Sequence, residues 1–186
     1  MSSPDAVATP SLRAIAQASI EHGVRAGAPL VPDPFDYPAR LREPGASFVT
    51  LRILGELRGC TGSLEPSRPL VRDVAQNAYR SAFEDPRFRP LTEAELPRID
   101  THVAVLSPLE PLPAAAEAEL LAALRPGVDG LVLREGSRGA TFLPAVWESL
   151  PEPRAFLDHL WEKAGLPAGY WSAELRFQRY TTTEAE

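Results

Sequence analysis

The segment Leu57-Arg58-Gly59-Cys60-Thr61-Gly62 holds the only cysteine of this 186-residue chain and two of its 12 glycines. Just before it, Ser47 to Leu54 alternates apolar and polar side chains, a pattern typical of a strand with one buried face. Gly55 and Glu56 then favour a tight turn, so the segment is predicted to lie on or directly after the returning strand of a β-hairpin. This hairpin is therefore the first place to look for a functional site.

The rest of the chain mixes helices and strands. Helical spacing of apolar residues is clearest from Leu70 to Phe83, an amphipathic helix that we expect Pro86 to end. Thr92 and Glu95 fit a capping box for a short helix. Other predicted elements are helices from Leu12 to about Gly23, Ala114 to Leu124 and Pro153 to Ala164, strands Ile99 to Leu106 and Ala173 to Thr181, and a hairpin of Leu131–Leu133 with Ala140–Leu143. Because no regular βαβ rhythm occurs, the predicted fold class is α+β, with mixed or antiparallel sheets and packed helices.

Length and composition favour one domain with its own core. The chain is long enough for one core to bury most of its apolar surface and too short for two full-sized domains. Its 44% hydrophobic and 24% charged residues are those of an ordinary globular protein. We expect residues 8–183 to form a single domain and residues 1–7 and 184–186 to be flexible termini.

Charge and cysteine usage exclude several classes of function. The formal net charge is −6 and the arginines are scattered among acids, which argues against nucleic acid as a partner. The sole lysine, Lys163, lies in the last predicted helix, so no Walker motif exists, and no GxGxxG follows a strand. One cysteine cannot form an internal disulfide, and the three histidines lack metal-ligand spacing, so neither a metal nor a cofactor is predicted.

The same features favour a location inside the cell. Met1 to Pro10 lack a basic n-region and an apolar h-region, and no run of 18 apolar residues occurs. A single cysteine suits a reducing compartment. We therefore expect a cytoplasmic protein without a membrane association.

Cys60 is the candidate nucleophile. The Arg58 guanidinium and the N–H groups of a glycine turn from Gly59 to Gly62 could stabilise its thiolate. Alternatively, Cys60 is a small buried hydrophobe and the glycines only let strands pack closely. His102 could act as a base, because imidazole titrates near neutral pH, or it could be an ordinary histidine satisfied by one hydrogen bond at a sheet edge. A Cys60–His102 dyad requires contact in space, which the sequence leaves open.

Asp85 and Arg87 follow the amphipathic helix and could hold a polar ligand. A turn that ends a helix with a local ion pair explains the same two residues without a ligand.

The hexapeptide at Leu57 resembles the hallmark Leu-Arg-Gly-Cys-Ile-Gly of the AMMECR-one family, with Thr61 in place of isoleucine. Further matches in the family's order and spacing are Phe48–Leu51, Asn77-Ala78, Asp85–Phe88, Glu95–Pro97, Leu106–Pro111, Gly127–Gly130 and Thr141–Pro144. In particular the chain is similar to system protein A of the prokaryotic AmmeMemoRadiSam gene set. The hydroxyl of Thr61 needs a partner if it is buried.

This resemblance implies an α+β fold of two unequal lobes with the hexapeptide near a cleft. It also implies gene neighbours that include a Memo-like protein and a radical S-adenosylmethionine enzyme, which become candidate partners. The family match raises the weight of a functional role for Cys60.

The leading hypothesis is an enzyme acting on a small molecule. Arg58 would bind an anion with Gly59, Thr61 and Gly62 beside it, Cys60 would be the nucleophile or redox thiol, and His102 the base. Three further side chains would approach this pocket: Asp85, Arg87 and Glu110. The alternative is a non-catalytic adaptor that docks a partner enzyme, and a third reading makes the hexapeptide a staple of the core.

Overall fold

The structure, a computed structural model, describes residues 11–185. The chain divides into two units, Met1–Leu106 with Thr183–Glu186 and Ser107–Thr182. The α-helices are α1 (Leu12–Ala26), α2 (Ala39–Arg42), α3 (Leu70–Phe83), α4 (Glu117–Ala123) and α5 (Pro153–Lys163), and 3-10 helices span Pro34–Asp36, Glu93–Arg98 and Pro144–Glu148. The strands are β1 (Pro44–Gly45), β2 (Ser47–Ile53), β3 (Glu56–Gly62), β4 (Arg68–Pro69), β5 (Ile99–Leu106), β6 (Glu110–Pro111), β7 (Gly130–Glu135), β8 (Arg138–Phe142), β9 (Arg176–Tyr180) and β10 (Thr182–Ala185).

Each unit is built on a four-stranded sheet. The strand order is β10-β5-β2-β3 in the first unit and β6-β9-β7-β8 in the second, and β1 pairs with β4 in a two-stranded ribbon. The pairs β2–β3, β2–β5, β7–β8 and β7–β9 are all antiparallel. The predicted α+β class with antiparallel sheets and packed helices is confirmed.

One face of the first unit's sheet carries its core. Val49, Leu51 and Val103 are fully buried on this inner face and pack against α1 and α3. The helix α3 contributes Val71 and Val74 to the same cluster, as its apolar spacing predicted. We call the opposite face of this sheet the outer face.

The β2–β3 hairpin places the hexapeptide on a strand. Its turn residues are Leu54 (φ 53°) and Gly55 (φ 84°), both left-handed, as a two-residue primed turn requires. The turn lies one residue earlier than predicted, because Glu56 already pairs with Ile53. The whole of Leu57–Gly62 is therefore extended strand rather than a glycine turn.

Helix α1 continues past its predicted end at Gly23. Ser11 Oγ caps its start by accepting the N–H of Ala14, and Gly27 (φ 66°) ends it in the left-handed conformation. Gly23 is glycine for another reason: a Cβ there would lie 2.4 Å from the ring of Phe83. A helix boundary was thus inferred from a glycine that instead serves close packing.

The second unit has a separate core. The indole of Trp147 stacks on the ring of Phe156 with 3.9 Å between ring centroids, and Trp161 and Leu160 of α5 lie beside them in the same buried cluster. The predicted second hairpin is present as β7 and β8, with Gly136 in the left-handed conformation at its turn.

The last described residues form a strand that was not predicted from the sequence. Residues 184–186 were expected to be flexible, whereas Glu184 and Ala185 belong to β10, which lies beside β5 in the first sheet. Ala185 also packs against the first core. The expected flexible segment 1–7 lies outside the described residues, and the single domain over 8–183 stays a prediction.

Candidate functional site

Cys60 lies in a row of side chains that crosses the outer face of the first sheet. In the strand register Thr50 is the partner of Cys60 on one side and of His102 on the other. Thr50 Oγ1 and Cys60 Sγ are 3.3 Å apart, a hydrogen bond in which either atom can donate. Directly paired residues share a face of a sheet, so the thiol, the hydroxyl and the imidazole line up across three strands.

The histidine of this row is paired with a carboxylate. His102 Nε2 lies 2.8 Å from Asp100 Oδ2, and Arg13 Nη2 donates to Asp100 Oδ1 at 2.8 Å. Asp100 and His102 are two residues apart on β5, which places both on the outer face. An ionised Asp100 selects the tautomer that carries its proton on Nε2 and holds the ring in a fixed orientation.

The structure does not bring His102 against the thiol. Because Thr50 lies between them, Cys60 and His102 are two strand spacings apart, about 10 Å along the sheet. A direct cysteine–histidine dyad is therefore absent, and any cooperation between the two groups has to take place across Thr50.

Both backbone polar groups of Cys60 are hydrogen-bonded at the open edge of the sheet, which β3 forms. Its N–H donates to Asp85 Oδ2 at 2.9 Å, and its carbonyl accepts from Arg87 Nη2 at 3.1 Å. Asp85 and Arg87 also pair with each other at 2.6 Å. Hydrogen bonding from Arg87 lowers the pKa of Asp85 to about 2, helped by the N–H of Cys60. Asp85 and Arg87 thus cover the open edge of β3, and their contacts explain both residues without a ligand.

Arg58 forms an ion pair with Glu95. Its Nε and Nη2 donate to the two carboxylate oxygens of Glu95 at 2.8 and 3.2 Å, and only 12% and 15% of the two side chains are exposed. The bond from Arg58 lowers the pKa of Glu95 to about 2, and Thr92 adds two donors from the confirmed capping box. Arg58 therefore ties β3 to the 3-10 helix at Glu93, and its charge is already compensated.

A register shift explains why the Arg58 guanidinium is not placed to stabilise a thiolate at Cys60. Leu51 pairs with Gly59 while Arg52 pairs with Leu57, so Arg58 has no partner on β2 and the strand is bulged there. The regular alternation that would place Arg58 and Cys60 on one face is interrupted at this position. Glu95 therefore occupies Nε and Nη2 of Arg58, while its buried Nη1 has no hydrogen-bond partner among the described residues.

The two glycines of the hexapeptide allow close approach rather than a turn. A Cβ on Gly59 would lie 2.0 Å from the carbonyl oxygen of Ser81 on α3. A Cβ on Gly62 would lie 2.3 Å from the ring of Phe48, which covers it. Neither glycine has a positive φ, so no turn requires them; Gly59 instead allows close packing against helix α3, and Gly62 allows it against Phe48 of β2.

Thr61 points to the inner face, and its hydroxyl is satisfied. Its Oγ1 lies 2.9 Å from Ser81 Oγ and 3.2 Å from the carbonyl of Asn77. The Thr61 N–H donates to Ser81 Oγ, which itself donates to the carbonyl of Val49. A serine hydroxyl of α3 is thus inserted into the β2–β3 ladder. The residue that departs from the family hallmark belongs to this polar junction.

A buried polar network next to the junction escaped the sequence analysis. Asp73 is fully buried and accepts hydrogen bonds from Ser47 Oγ (2.8 Å), Ser63 Oγ (2.6 Å) and Asn77 Nδ2 (2.9 Å). Burial raises the pKa of Asp73, against the opposing effect of the hydrogen bonds from Ser63 and Ser47 and of the charge of Arg68. A signal existed: three polar residues, Asp73, Asn77 and Ser81, recur every four positions on one face of α3.

Glu110 lies in the second unit, on β6, where it pairs with Arg179 Nε at 3.3 Å. Within residues 11–185, no three His, Cys, Asp or Glu side chains gather in a way that could hold a metal ion. None of the helices in the described part of the chain has the length and apolar character of a membrane span.

Fold and site together define an α+β protein with a partly buried thiol on the outer face of an antiparallel sheet. The AMMECR1 family model matches residues 13–185, and the chain belongs to this family. A protein of Methanothermobacter thermautotrophicus is 38% identical over 173 residues, which is 89% of this chain and 87% of that relative. One of Thermococcus gammatolerans is 35% identical over 90% of this chain and 84% of its own.

A solved structure shares the fold. The crystal structure of an uncharacterised protein from Pyrococcus horikoshii superposes with a TM-score of 0.86 at 30% sequence identity. The match covers 93% of this chain and 88% of that one. The chain therefore resembles this structure over most of its length.

Proposed function

We propose that this protein is an enzyme that transfers or hydrolyses the acyl group of a small ester or thioester, with Cys60 as nucleophile. The observation that supports this proposal is the outer-face row, in which the Cys60–Thr50 hydrogen bond and the His102–Asp100 pair lie side by side. Thiol and imidazole both face the same surface, and a substrate lying over Thr50 touches both.

The chemistry assigns one role to each side chain. The Thr50 hydroxyl donates to Sγ and stabilises the thiolate, while the thiol proton leaves to water. The thiolate attacks the acyl carbon, the new C–S bond replaces the bond to the leaving group, and protonated His102 gives its proton to that group. His102 then takes a proton from the water that hydrolyses the acyl-cysteine, which restores thiol and imidazolium.

Trapping the acyl group tests this role of Cys60. The folded protein is incubated with p-nitrophenyl acetate and analysed by intact and peptide mass spectrometry, beside Cys60→Ser. The proposal expects one acetyl group, on Cys60, and p-nitrophenolate release that the variant loses. Acetylation of Cys60 only after unfolding, or equal release by Cys60→Ser, would contradict it.

A second candidate, the adaptor, is supported by a different observation. Val31 and Phe35, on the segment between α1 and α2, are 71% and 78% exposed, and Arg42 lies over the Phe35 ring at 5.6 Å. Contiguous exposed apolar patches mark docking surfaces, and this second proposal takes Val31 and Phe35 as the apolar part of such a patch. In this reading the chain is a cytoplasmic component of an AmmeMemoRadiSam-type system and its partner is the Memo-like protein.

A binding experiment separates the two candidates. Pull-down of a purified Memo-like protein should survive Cys60→Ser and be lost in the double variant Val31→Asp and Phe35→Asp. The matched control is Leu54→Asp, an exposed apolar residue at the hairpin turn. If a radical S-adenosylmethionine enzyme is retained instead, the partner named here is wrong.

A further inference from the structure

A half-open pocket of the first unit lies between the segment that joins α1 to α2 and the first turns of α3. Its volume is about 380 Å³. A cavity of about 150 Å³ already holds benzene, so this pocket has room for a small organic molecule. Two arginines and no acid are among the residues that line it: Leu30, Val31, Ser67, Arg68, Arg72 and Gln76. In a chain with a net charge of −6, this lining is a local reversal of charge.

The backbone of the α1–α2 segment fixes the first arginine. Arg72 Nε donates to the carbonyl oxygen of Pro32 at 3.1 Å. Among residues 11–185, no carboxylate lies within ion-pair distance of the Arg72 guanidinium. The N–H groups of both its terminal nitrogens are therefore left for a ligand.

A buried acid orients the second arginine. Arg68 Nε lies 3.6 Å from Oδ1 of Asp73, a fully buried carboxylate, while 43% of the Arg68 side chain is exposed. Within the described residues, Asp73 is the only acid that pairs with either arginine. Two guanidinium groups thus share one carboxylate, and together they keep a net positive charge.

The apolar side of the pocket is held in place by a serine of α1. Ser19 is fully buried, and its Oγ accepts from the N–H of Leu30 at 3.1 Å and donates to the carbonyl of Ala75 on α3 at 2.7 Å. Leu30 and Val31 are therefore fixed relative to α3. Binding groups that are already in position lose little conformational freedom when a ligand binds, which favours affinity.

We infer that this pocket binds a small phosphate monoester, with its phosphate between the two arginines and its organic part against Leu30 and Val31. Such a phosphate carries a charge of about −1.5 to −2 at neutral pH and three acceptor oxygens. Guanidinium groups bind it through paired N–H···O bonds. Gln76 adds an amide donor one turn after Arg72 on the same face of α3. A carboxylate, with one charge and two oxygens, uses fewer of these donors. The site is independent of Cys60 and of the chemistry proposed there.

Titration of the full chain with phenyl phosphate, followed by methyl NMR at physiological ionic strength, tests this assignment. The methyl signals of Leu30 and Val31 should shift saturably, while those of Leu54, on the hairpin, should not. Phenyl phosphate should bind about tenfold or more tightly than benzoate, which has one charge, and than inorganic phosphate, which has no organic part. Shifts that never saturate, equal affinity for benzoate, or equal affinity for inorganic phosphate would each overturn the inference.

Two variants and a matched control locate the binding. Arg72→Gln should weaken phenyl phosphate binding about tenfold or more and leave the melting temperature nearly unchanged, because Arg72 has no ion pair to lose. Val31→Asp, at an exposed position of the lining, should also weaken binding through charge repulsion. The control Arg80→Gln removes an arginine that pairs with Glu84, two turns further along α3, and should bind as wild type. Unchanged binding by Arg72→Gln, or an equal loss in Arg80→Gln, would contradict the proposed site.

Discussion

Thr50 Oγ1 lies 3.3 Å from Cys60 Sγ, at the middle of a row that ends at His102. A hydroxyl that donates to sulfur favours the thiolate over the thiol. The proposed function requires Thr50 to be the donor in this contact, and it assigns the activation of Cys60 to Thr50 rather than to the neighbouring arginine.

Replacing Thr50 by Val should slow the alkylation of Cys60 by iodoacetamide at pH 7 several-fold, because the thiolate loses its donor while the β-branched shape is kept. Thr183→Val, an exposed change on β10, is the control and should leave the rate unchanged. Equal rates for wild type and Thr50→Val would mean that the hydroxyl does not act on the sulfur.

The Arg58–Glu95 pair should stabilise the fold in a pH-dependent manner. The pKa of Glu95 is lowered from 4.5 to about 2, so its contribution is present above pH 4.5 and is lost as the pH falls toward 2. Glu95→Gln should cost about 2 kcal/mol in the free energy of unfolding at pH 7, as a hydrogen bond to a charged group does. The difference from wild type should shrink on acidification, measured by urea unfolding at several pH values; a constant difference would refute the assignment.

Asp73 should show the opposite dependence. Its pKa is raised from 3.8 by burial, so its contribution to stability is fully present below pH 3.8 and is lost as the pH rises through the folded-state pKa. Relative to Asp73→Asn, the wild type should therefore lose free energy of unfolding as the pH increases. The same urea series measures this trend, and a wild-type advantage that grows with pH would contradict it.

Gly59→Ala should be among the most damaging single changes, at a cost of about 3 kcal/mol, because the new methyl group meets a backbone oxygen that cannot move aside. The clash is with the Ser81 carbonyl at 2.0 Å. Gly139→Ala is the matched control, since its nearest neighbour, the Leu133 carbonyl, lies at 3.1 Å and the cost should be smaller. Thermal unfolding measures both, and equal losses would show that close packing at α3 is not the reason for Gly59.

Local sequence patterns predicted most helices and strands, but not which of them pack against each other. The alternation before Gly55 identified the hairpin, and Thr92 with Glu95 identified a real capping box. The sequence left two explanations of Gly59 open, a turn and close packing, because glycine is used for both and only the position of Ser81 decides between them. Strand β10 was missed because its short polar sequence acquires strand structure only beside β5.

Which residues lie side by side in the candidate site depends on the register in which β3 and β5 pair with β2. Cys60 and His102 were singled out as chemistry-bearing residues, but only the pairing of both with Thr50 shows that they are neighbours in a row and not a dyad. Asp85 was proposed as a ligand group, although its partners are Arg87 and the backbone of Cys60. The pair with Arg87 was one of the two explanations that the sequence offered, whereas the bond from Cys60, 25 residues away on an edge strand, leaves no periodic trace in the sequence.

The lifetime of acetyl-Cys60 after reaction with p-nitrophenyl acetate tests the proposed enzyme most directly. The wild type should clear the acetyl group by hydrolysis, and His102→Asn should retain it at least tenfold longer. The control His159→Asn, on α5, should behave as wild type. An acetyl group that decays equally fast in wild type and His102→Asn would contradict a catalytic role for the row of Cys60, Thr50 and His102.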